Sequence, residues 1–537
     1  MRNLVQISLK KVYDLPMRKK NLVFGALIPF CVNFYAQEIS DTITLEDAIT
    51  LAVENNYSVQ QKRFALATAK AQYRQIDGAF DFEVGASASY DMSQNPTDED
   101  DPKYTSVYYG SDNTTSYQTV GSVFVKKLFS FGLDSKLSYS IKRNHDYPNY
   151  PESLKYEQED ARNFGYLNLE LKLPLFKAFK DSINAMQLES ARDKIAQMQA
   201  DLDDTVAKVF LSVAQNYWKY SILANNLGLL EELQKNIENR KTSVESLVRA
   251  GVRTSNDLLA MQVSALENQR KIENARVSLA EAKLNLMTIL GIDDSVKNFL
   301  PPNNPFFGID LDIEIPDTKT IDADFIENVL SSRGDTVALK KQIEQAEREV
   351  RIAQVDSRPD ATLGFSIGTT GTRYSDGAGG FIGSGFSNIR GVNVSGSLSV
   401  SAKIGNNAKK GAEDAAQSSY NSLLVEYAQK RNTLELQIKN ALEKLSIYRS
   451  SVQNAEGTLR LQKDLYDNSQ KLFNAGRITV LDLEKYDENY LSAEESYRQT
   501  LVSYLTAILE YKYYTATLLG VTDGDLLFPP KKEEKSE

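Results

Sequence analysis

The stretch Ala250-Gly251-Val252-Arg253-Thr254-Ser255-Asn256-Asp257-Leu258 decides the fold of this chain, because it is repeated as Ala475-Gly476-Arg477-Ile478-Thr479-Val480-Leu481-Asp482-Leu483. In both copies a long helical pattern runs into glycine, which readily takes the left-handed conformation that ends a helix. The threonine that follows can cap the next helix, and the aspartate three residues later can complete a capping box. The sequence therefore predicts a duplicated chain with two αα-hairpins, whose tips are 249–257 and 474–482.

The segment after each tip has the periodicity of a coiled coil. Apolar and small residues recur there at spacings of three and four, which keeps one stripe against a partner helix. In the first copy this stripe consists of Leu258, Met261, Ala265, Asn268, Ile272, Ala275, Leu279, Ala282, Leu286 and Ile289. In the second copy tyrosines such as Tyr490, Tyr497 and Tyr504 take many of these positions. Packing along the stripe explains the tyrosines better than a cofactor site does.

Between the helices the period of the pattern changes to two. Five segments alternate apolar and polar residues, around 82–91, 133–142, 167–175, 361–368 and 392–404, and 120–129 is a weaker strand. Strands of about ten residues with one apolar face suit a membrane β-barrel. One chain has too few of them to close a wide barrel, so several chains must share it.

The order of these patterns predicts the domain organisation. The first repeat covers 37–291, with barrel strands within 82–175, and the second covers 325–520, with barrel strands within 361–404. A linker at 292–324 joins them, and 521–537 is a charged tail. The helices at 45–78 and 325–357 are each about half as long as the helix before a tip, so we expect short helices to stack end to end beside a long one.

The N-terminus is typical of a secretory signal peptide covering residues 1–36, with a basic Arg18-Lys19-Lys20 cluster before an apolar stretch. Met17 is an alternative start. Cys31 lies within this leader, so cleavage would leave neither disulfide nor thiol chemistry. Removal of the leader would lower the formal net charge from −10 to −15, which disfavours nucleic-acid binding.

The sequence shows no pattern of a catalytic site, and we expect neither an enzyme nor a bound cofactor or metal. His145 is the only histidine of the chain, and it falls in an expected polar loop at 143–162. It has no cysteine near it, unlike a zinc site. The acidic run 98–101 lacks the spaced ligands of a calcium loop. The glycines of 377–380 belong to a glycine-rich stretch, 371–388, which we expect to be a flexible loop between two strands. A phosphate-binding loop instead joins a strand to a helix.

The duplicated helix–strand–helix order resembles the TolC family of outer-membrane efflux ducts. The residues that carry the resemblance are the two tips, Arg358-Pro359-Asp360 before the second set of strands, and Leu173-Pro174-Leu175-Phe176 after the first. The resemblance implies an α+β membrane protein, in which three chains share one β-barrel in the outer membrane of a Gram-negative bacterium. It also implies a long periplasmic α-helical coiled-coil barrel.

The same resemblance implies partners and site residues. A periplasmic adaptor linked to an inner-membrane pump would dock on the tips. The residues implied in this contact are Ala250, Gly251, Val252, Arg253, Thr254, Ser255, Ala475, Gly476, Arg477, Ile478, Thr479 and Val480. Asp257 and Asp482 match acids that line the periplasmic entrance, although an aspartate at this position also serves as a helix cap. The chain departs from the family pattern at Ile478 and Lys485, and in the strand-rich segment 119–142, which leaves four or six barrel strands per chain.

Two functions follow from this reading. The first is a passive exit duct that accepts substrates from a pump and adaptor and conducts them outward, by efflux or type I secretion. The alternative is a structural protein, anchored by its barrel, that tethers the envelope without transport. The sequence does not identify the transported substrate.

Overall fold

The computed structural model describes residues 43–102, 105, 113–148, 162–292, 321–374, 377–389 and 391–519. The predicted signal peptide and charged tail lie outside these residues, as does nearly all of the predicted linker. The described residues form an α+β protein, and its chain falls into two compact units. One unit holds residues 67–196 and 340–425, and the other holds the remaining described residues.

The described part of the first repeat contains four α-helices and four strands. The elements are α1 Leu45–Asn55, α2 Tyr57–Asp77, β1 Phe82–Pro96, β2 Asn113–Leu128, β3 Asp134–Pro148, β4 Arg162–Pro174, α3 Ile183–Arg249 and α4 Ser255–Leu290. Thr44 caps α1 through a capping box with Asp47. His145, expected in a loop, lies in β3.

The second repeat has the same plan with fewer strands. Its elements are α5 Ala323–Ser332, α6 Gly334–Ser357, β5 Asp360–Tyr374, α7 Ala378–Ile382, β6 Gly391–Ser401, α8 Asn407–Asn474 and α9 Val480–Tyr514. The duplicated helix–strand–helix order predicted from the tips is confirmed. Among the described helices, none combines the length and the apolar character needed to span a membrane.

The short helices differ from the prediction, because each of the two expected at 45–78 and 325–357 is broken. Asn56 interrupts the first with an extended backbone, and its side-chain amide donates to the Ile289 carbonyl at 2.7 Å. Gly291 ends α4 with a φ of +69°, and a Cβ there would lie 2.4 Å from the Asn55 carbonyl oxygen. The end of α4 therefore abuts the α1–α2 junction, and this contact excludes any side chain at position 291.

Arg333 makes the corresponding break between α5 and α6. Its side chain is buried and donates to both carboxylate oxygens of Asp335 at 2.7 and 3.1 Å. Lys430 lies 3.1 Å from the same carboxylate, and the Arg333 guanidinium stands over the Tyr513 ring. Since buried charges need partners, this network explains how a charged residue is tolerated where a helix changes direction.

The six strands form one antiparallel sheet in the order β1-β2-β3-β4-β5-β6. Every strand pairs with its neighbours in the sequence, and the two repeats meet where β4 pairs with β5. The hairpin of β2 and β3 lies inside the sheet, between β1 and β4. The described part of the chain therefore places six strands in one sheet, the larger of the two numbers that the sequence left open.

The register places apolar residues on one face of the sheet and polar residues on the other. One row across all six strands consists of Val84, Val125, Leu137, Leu169, Ile367 and Val394. A row on the opposite face consists of Glu83, Lys126, Lys136, Glu170, Ser366 and Ser395. We call these the apolar face and the polar face. Most of the apolar row is exposed, for example Val84 at 75% and Val394 at 61%.

Candidate functional site: the two hairpin tips

Both tips end the incoming helix in the same way. Gly251 has a φ of +73°, and its N–H donates to the Val248 carbonyl while the next N–H donates to the Leu247 carbonyl. Gly476 has a φ of +72° and makes the same pair of bonds, to Phe473 and Leu472. This is the Schellman arrangement, which satisfies carbonyls at a helix end and requires a left-handed residue.

Both tips also start the outgoing helix in the same way, with a capping box. The Thr254 N–H and hydroxyl donate to one Asp257 carboxylate oxygen at 3.0 and 2.9 Å. The corresponding distances from Thr479 to Asp482 are 3.0 and 2.6 Å. The hydroxyl of each threonine in turn accepts from the aspartate N–H, at 3.3 and 3.2 Å. The capping role expected for both acids is therefore present.

The same bonds lower the pKa of both aspartates. For Asp257 the backbone hydrogen bond from Thr254 has the largest effect, and the hydroxyl adds to it. For Asp482 the Thr479 hydroxyl has the largest effect, followed by the backbone hydrogen bond. Hydrogen bonds to the ionised form favour it, so both carboxylates carry a negative charge at neutral pH. Each tip thus presents one fixed anionic charge beside its turn.

The two tips pack against each other through a small apolar core. Val244 and Met261 of the first hairpin are buried together with Val480 of the second. Phe473 packs against this core, and the guanidinium carbon of Arg253 lies 5.3 Å from its ring centroid. The structure therefore brings the two predicted tips into one site. Val252 and Leu481 point away from the core and are 70% and 67% exposed.

An ion pair three turns above the tips was not predicted. Arg240 of α3 donates to both carboxylate oxygens of Asp487 in α9, and their side chains are only 13% and 5% exposed. Burial raises the pKa of Asp487, and the Arg240 guanidinium partly offsets this. Burial also raises the pKa of Glu484, one turn nearer the tip. The sequence held no clear signal for this pair, because Asp487 matches Gln262, which lies outside the seam of the first hairpin.

The predicted seams are confirmed in the hairpins. Met261, Ala265, Asn268, Ile272, Ala282 and Leu286 of α4 are buried. The amide of Asn268 donates to the Leu230 carbonyl at 3.0 Å and to the Gln234 side chain at 2.9 Å.

Among the described residues, no cluster of histidine, cysteine, aspartate or glutamate side chains could hold a metal ion. The site offers shape, apolar contact and charge to a partner.

Comparison with known proteins decides the family. A family model described as outer membrane efflux protein matches residues 48–292 and 325–510, which is most of the chain. The chain belongs to the outer membrane efflux protein family. The resemblance drawn from the tips and the repeat is therefore confirmed, and the family description places the protein in the outer membrane. Members of this family are channels and not enzymes.

Solved structures show the same fold for this outer membrane efflux protein at low identity. A membrane protein from Pseudomonas aeruginosa is 16% identical, with a TM-score of 0.61 over 89% of this chain and 92% of the other. The CmeC outer membrane channel of Campylobacter jejuni is 13% identical, with a TM-score of 0.58 over 93% and 94%.

The open state of the MtrE outer membrane channel of Neisseria gonorrhoeae is 16% identical, with a TM-score of 0.59 over 88% of each chain. None of the curated proteins compared with this outer membrane efflux protein matches its sequence.

Proposed function

We propose that this protein is a passive exit duct formed by three copies of the chain, which accepts substrates from a periplasmic adaptor and an inner-membrane pump. The observation that carries this proposal is the six-stranded sheet. Among the described strands, β1 and β6 each pair on one side only. In a membrane these free edges need partners, because no water is present to satisfy their backbone groups. Pairing β1 of one copy with β6 of the next meets that need and closes a barrel.

The two faces of the sheet support a conducting role for such a barrel. The apolar face suits lipid, and the polar face would line a water-filled interior. Three copies with six strands each would supply eighteen strands. At a strand spacing of about 4.8 Å and a tilt of about 40°, eighteen strands give a radius of roughly 18 Å, against roughly 12 Å for twelve. The embedded β2–β3 hairpin would thus widen the exit.

The tips would form the periplasmic entrance of the duct. Asp257 and Asp482 would repeat in three copies as rings of negative charge, which favours the passage of cations. The residues of both turns would contact the adaptor, including the exposed Val252 and Arg477 and the partly buried Arg253 and Ile478. The pump would supply the energy for transport.

Single-channel conductance in a planar bilayer tests this function. The protein would be compared with the double variant Asp257→Asn/Asp482→Asn, since asparagine keeps an oxygen that can cap the helix but removes the charge. We expect a cation-selective conductance that loses selectivity in the double variant. Glu273→Gln/Glu456→Gln removes the same charge from exposed helix positions farther from the tips and should leave selectivity unchanged.

Two outcomes would contradict parts of the proposal. Folded trimers that conduct no ions would exclude a duct and favour the structural tether. A conductance with the same selectivity in both proteins would keep the duct but reduce the two aspartates to helix caps. Chemical cross-linking of the purified protein would establish the number of copies independently.

A further inference from the structure

The segment 377–389, between β5 and β6, lies on the apolar face of the sheet. It contains α7 and a 3-10 turn at Gly383–Phe386. A Cβ at Gly165 would lie 2.0 Å from the Gly385 nitrogen, and one at Gly371 would lie 2.2 Å from the Ser384 carbonyl oxygen. The register puts both glycines on the same face as Leu167 and Ile367. The backbone of the segment therefore rests directly on two glycines of the apolar face.

Tyr139 of β3 fastens the segment to the sheet. Its hydroxyl donates to the Ile382 carbonyl at 2.6 Å and accepts from the Gly385 N–H at 3.3 Å. Its ring stacks on Phe386 with 5.3 Å between centroids. Since backbone groups of the segment are hydrogen-bonded to a side chain of the sheet, the segment is an integral part of the sheet surface.

Arg143 holds the beginning of the segment. One guanidinium nitrogen donates to the Gly377 carbonyl at 3.2 Å, and another donates to the side chain of the buried Asn163 at 2.8 Å. The guanidinium also stands over the Phe381 ring, 5.0 Å from its centroid. The only charged group in these contacts thus belongs to the strand, and it points its donors at the sheet and the segment backbone.

The composition of the segment is unlike that of a loop in water. Residues 377–389 contain no charged side chain, whereas the loop after β1 contains Asp98-Glu99-Asp100-Asp101. Ile382, Phe386 and Ile389 are nevertheless 61%, 70% and 49% exposed. Exposed apolar side chains without charges mark a surface that is covered in the assembled state. Their position continues the exposed apolar face of the strands.

We propose that the segment 377–389 is a lipid-contacting part of the barrel wall, whose Ile382 and Phe386 side chains insert among the acyl chains of the outer leaflet. The segment lies at the strand ends opposite the helices, because β5 begins after α6 and β6 leads into α8. In an outer membrane protein with periplasmic helices, those strand ends are in the outer leaflet. The proposal rests on this location and does not require a trimer or conduction.

Site-specific fluorescence quenching in lipid vesicles tests the proposal. A Cys31→Ser background carries single variants with a small fluorophore at Ile382→Cys, Val123→Cys, Ser122→Cys or Glu99→Cys. Val123 and Ser122 are neighbours in β2 on the apolar and polar faces, and Glu99 lies in the acidic loop. The two quenchers are a phospholipid with a spin label on its acyl chain and iodide in the buffer.

We expect the label at position 382 to behave like that at position 123, quenched by the lipid and protected from iodide. The labels at positions 122 and 99 should not respond to the lipid. Gly165→Ala should lower lipid quenching at position 382 while leaving position 123 unchanged, because the added methyl group displaces the segment. If the label at position 382 did not respond to the lipid quencher, like the label at position 99, the proposal would be overturned. The assignment of the two faces of the barrel would then be unaffected. Loss of lipid quenching at position 123 as well would overturn both.

Discussion

The two tips share one turn motif, but the residues that surround the turn differ between them. Both end in a left-handed glycine and restart with a threonine and aspartate capping box. Ser255 follows the first cap and is exposed, whereas Val480 follows the second and is 1% exposed. Gln262 of the first hairpin is exposed, whereas Asp487 at the matching position of the second is buried against Arg240. The local turn is thus repeated, but its tertiary surroundings are not.

This difference shows that duplication preserved the local interactions of the turn but not the contacts of each turn with distant residues. The turn needs only residues within a span of about nine, so duplication preserves it unchanged. The side chain of Asp487 faces the first hairpin and depends on Arg240 from a different part of the chain. We infer that the second hairpin holds the two hairpins together, while the motif itself only closes each one.

The largest effect is expected from breaking the buried ion pair. Asp487→Ala leaves the Arg240 guanidinium buried without its carboxylate, which typically costs about 3–5 kcal/mol. Hydrogen exchange at the start of α9 should become faster by roughly two to four orders of magnitude. Gln262→Ala, at the matching exposed position of the first hairpin, is the control and should have little effect.

A double variant shows whether the charge or the contact is needed. Arg240→Met/Asp487→Met fills the same space with apolar groups, and such replacements are often neutral. We expect hydrogen exchange in this variant to return close to that of the unchanged protein. An exchange rate as fast as that of Asp487→Ala would show that the pair has a role beyond mutual neutralisation.

Substitution of the two tip glycines should give the next largest effect, of similar size in both hairpins. No atom lies within 4 Å of a Cβ at Gly251 or Gly476, so the cost comes from the left-handed backbone alone. Gly251→Val and Gly476→Val should each lower local stability by about 1–2 kcal/mol. Asparagine at either position should cost less. Unequal losses, measured by hydrogen exchange of the turns, would contradict the equivalence of the two turns.

The response to pH should distinguish the second hairpin from the first. Burial raises the pKa of Glu484, and the nearby acids Asp487, Glu267 and Glu488 raise it further, while a hydrogen bond from Ser264 opposes them. A carboxyl with a raised folded-state pKa destabilises the fold above that pKa. This penalty disappears as the pH falls toward the unfolded value of about 4.5.

Exchange at the start of α9, corrected for intrinsic rates, should therefore slow as the pH is lowered through that window. Glu484→Gln should weaken the trend, and the part that remains belongs to Asp487, whose pKa is also raised by burial. At α4 no such gain is expected, because Leu259 takes the corresponding position. Below about pH 3.8 both hairpins should lose stability, since Asp257 and Asp482 have lowered pKa values and must then be protonated.

The smallest effect is expected for the exposed pair that joins the two hairpins. Lys271 lies 2.8 Å from Glu488, but their side chains are 44% and 63% exposed. Exposed ion pairs contribute at most about 1 kcal/mol and are screened by salt. Lys271→Ala should change hydrogen exchange by less than about fivefold, and high salt should remove the difference. A larger change would indicate that this pair, and not Arg240–Asp487, holds the hairpins together.

The sequence predicted the parts of the fold that depend on local patterns. Glycine and threonine placed both tips, and alternation placed the strands, because these signals are carried by neighbouring residues. It also predicted the paired tips and their two aspartates. The roles of these aspartates in gating and of the turns in adaptor contact remain predictions.

The features that depend on distant contacts were missed. No local pattern indicated that Asn56 or Arg333 breaks a short helix, because each break is stabilised by partners far along the chain such as Ile289 and Tyr513. The glycine-rich stretch 371–388 was expected to be a flexible loop, but β5 continues to Tyr374 and 377–389 packs on the sheet. Its glycines allow close contact between backbones, and a glycine-rich sequence alone does not distinguish this role from flexibility.

The order of strands in the sheet has a consequence for how the chain folds. Strands β1 to β4 can zip together as successive hairpins, and so can β5 and β6. The pairing of β4 with β5 is different, because Pro174 and Asp360 are 186 positions apart. Closing so long a loop is entropically costly and slow unless the chain between has already become compact. We therefore expect the intervening helices to form first, because their compaction brings the two halves of the sheet close enough to pair.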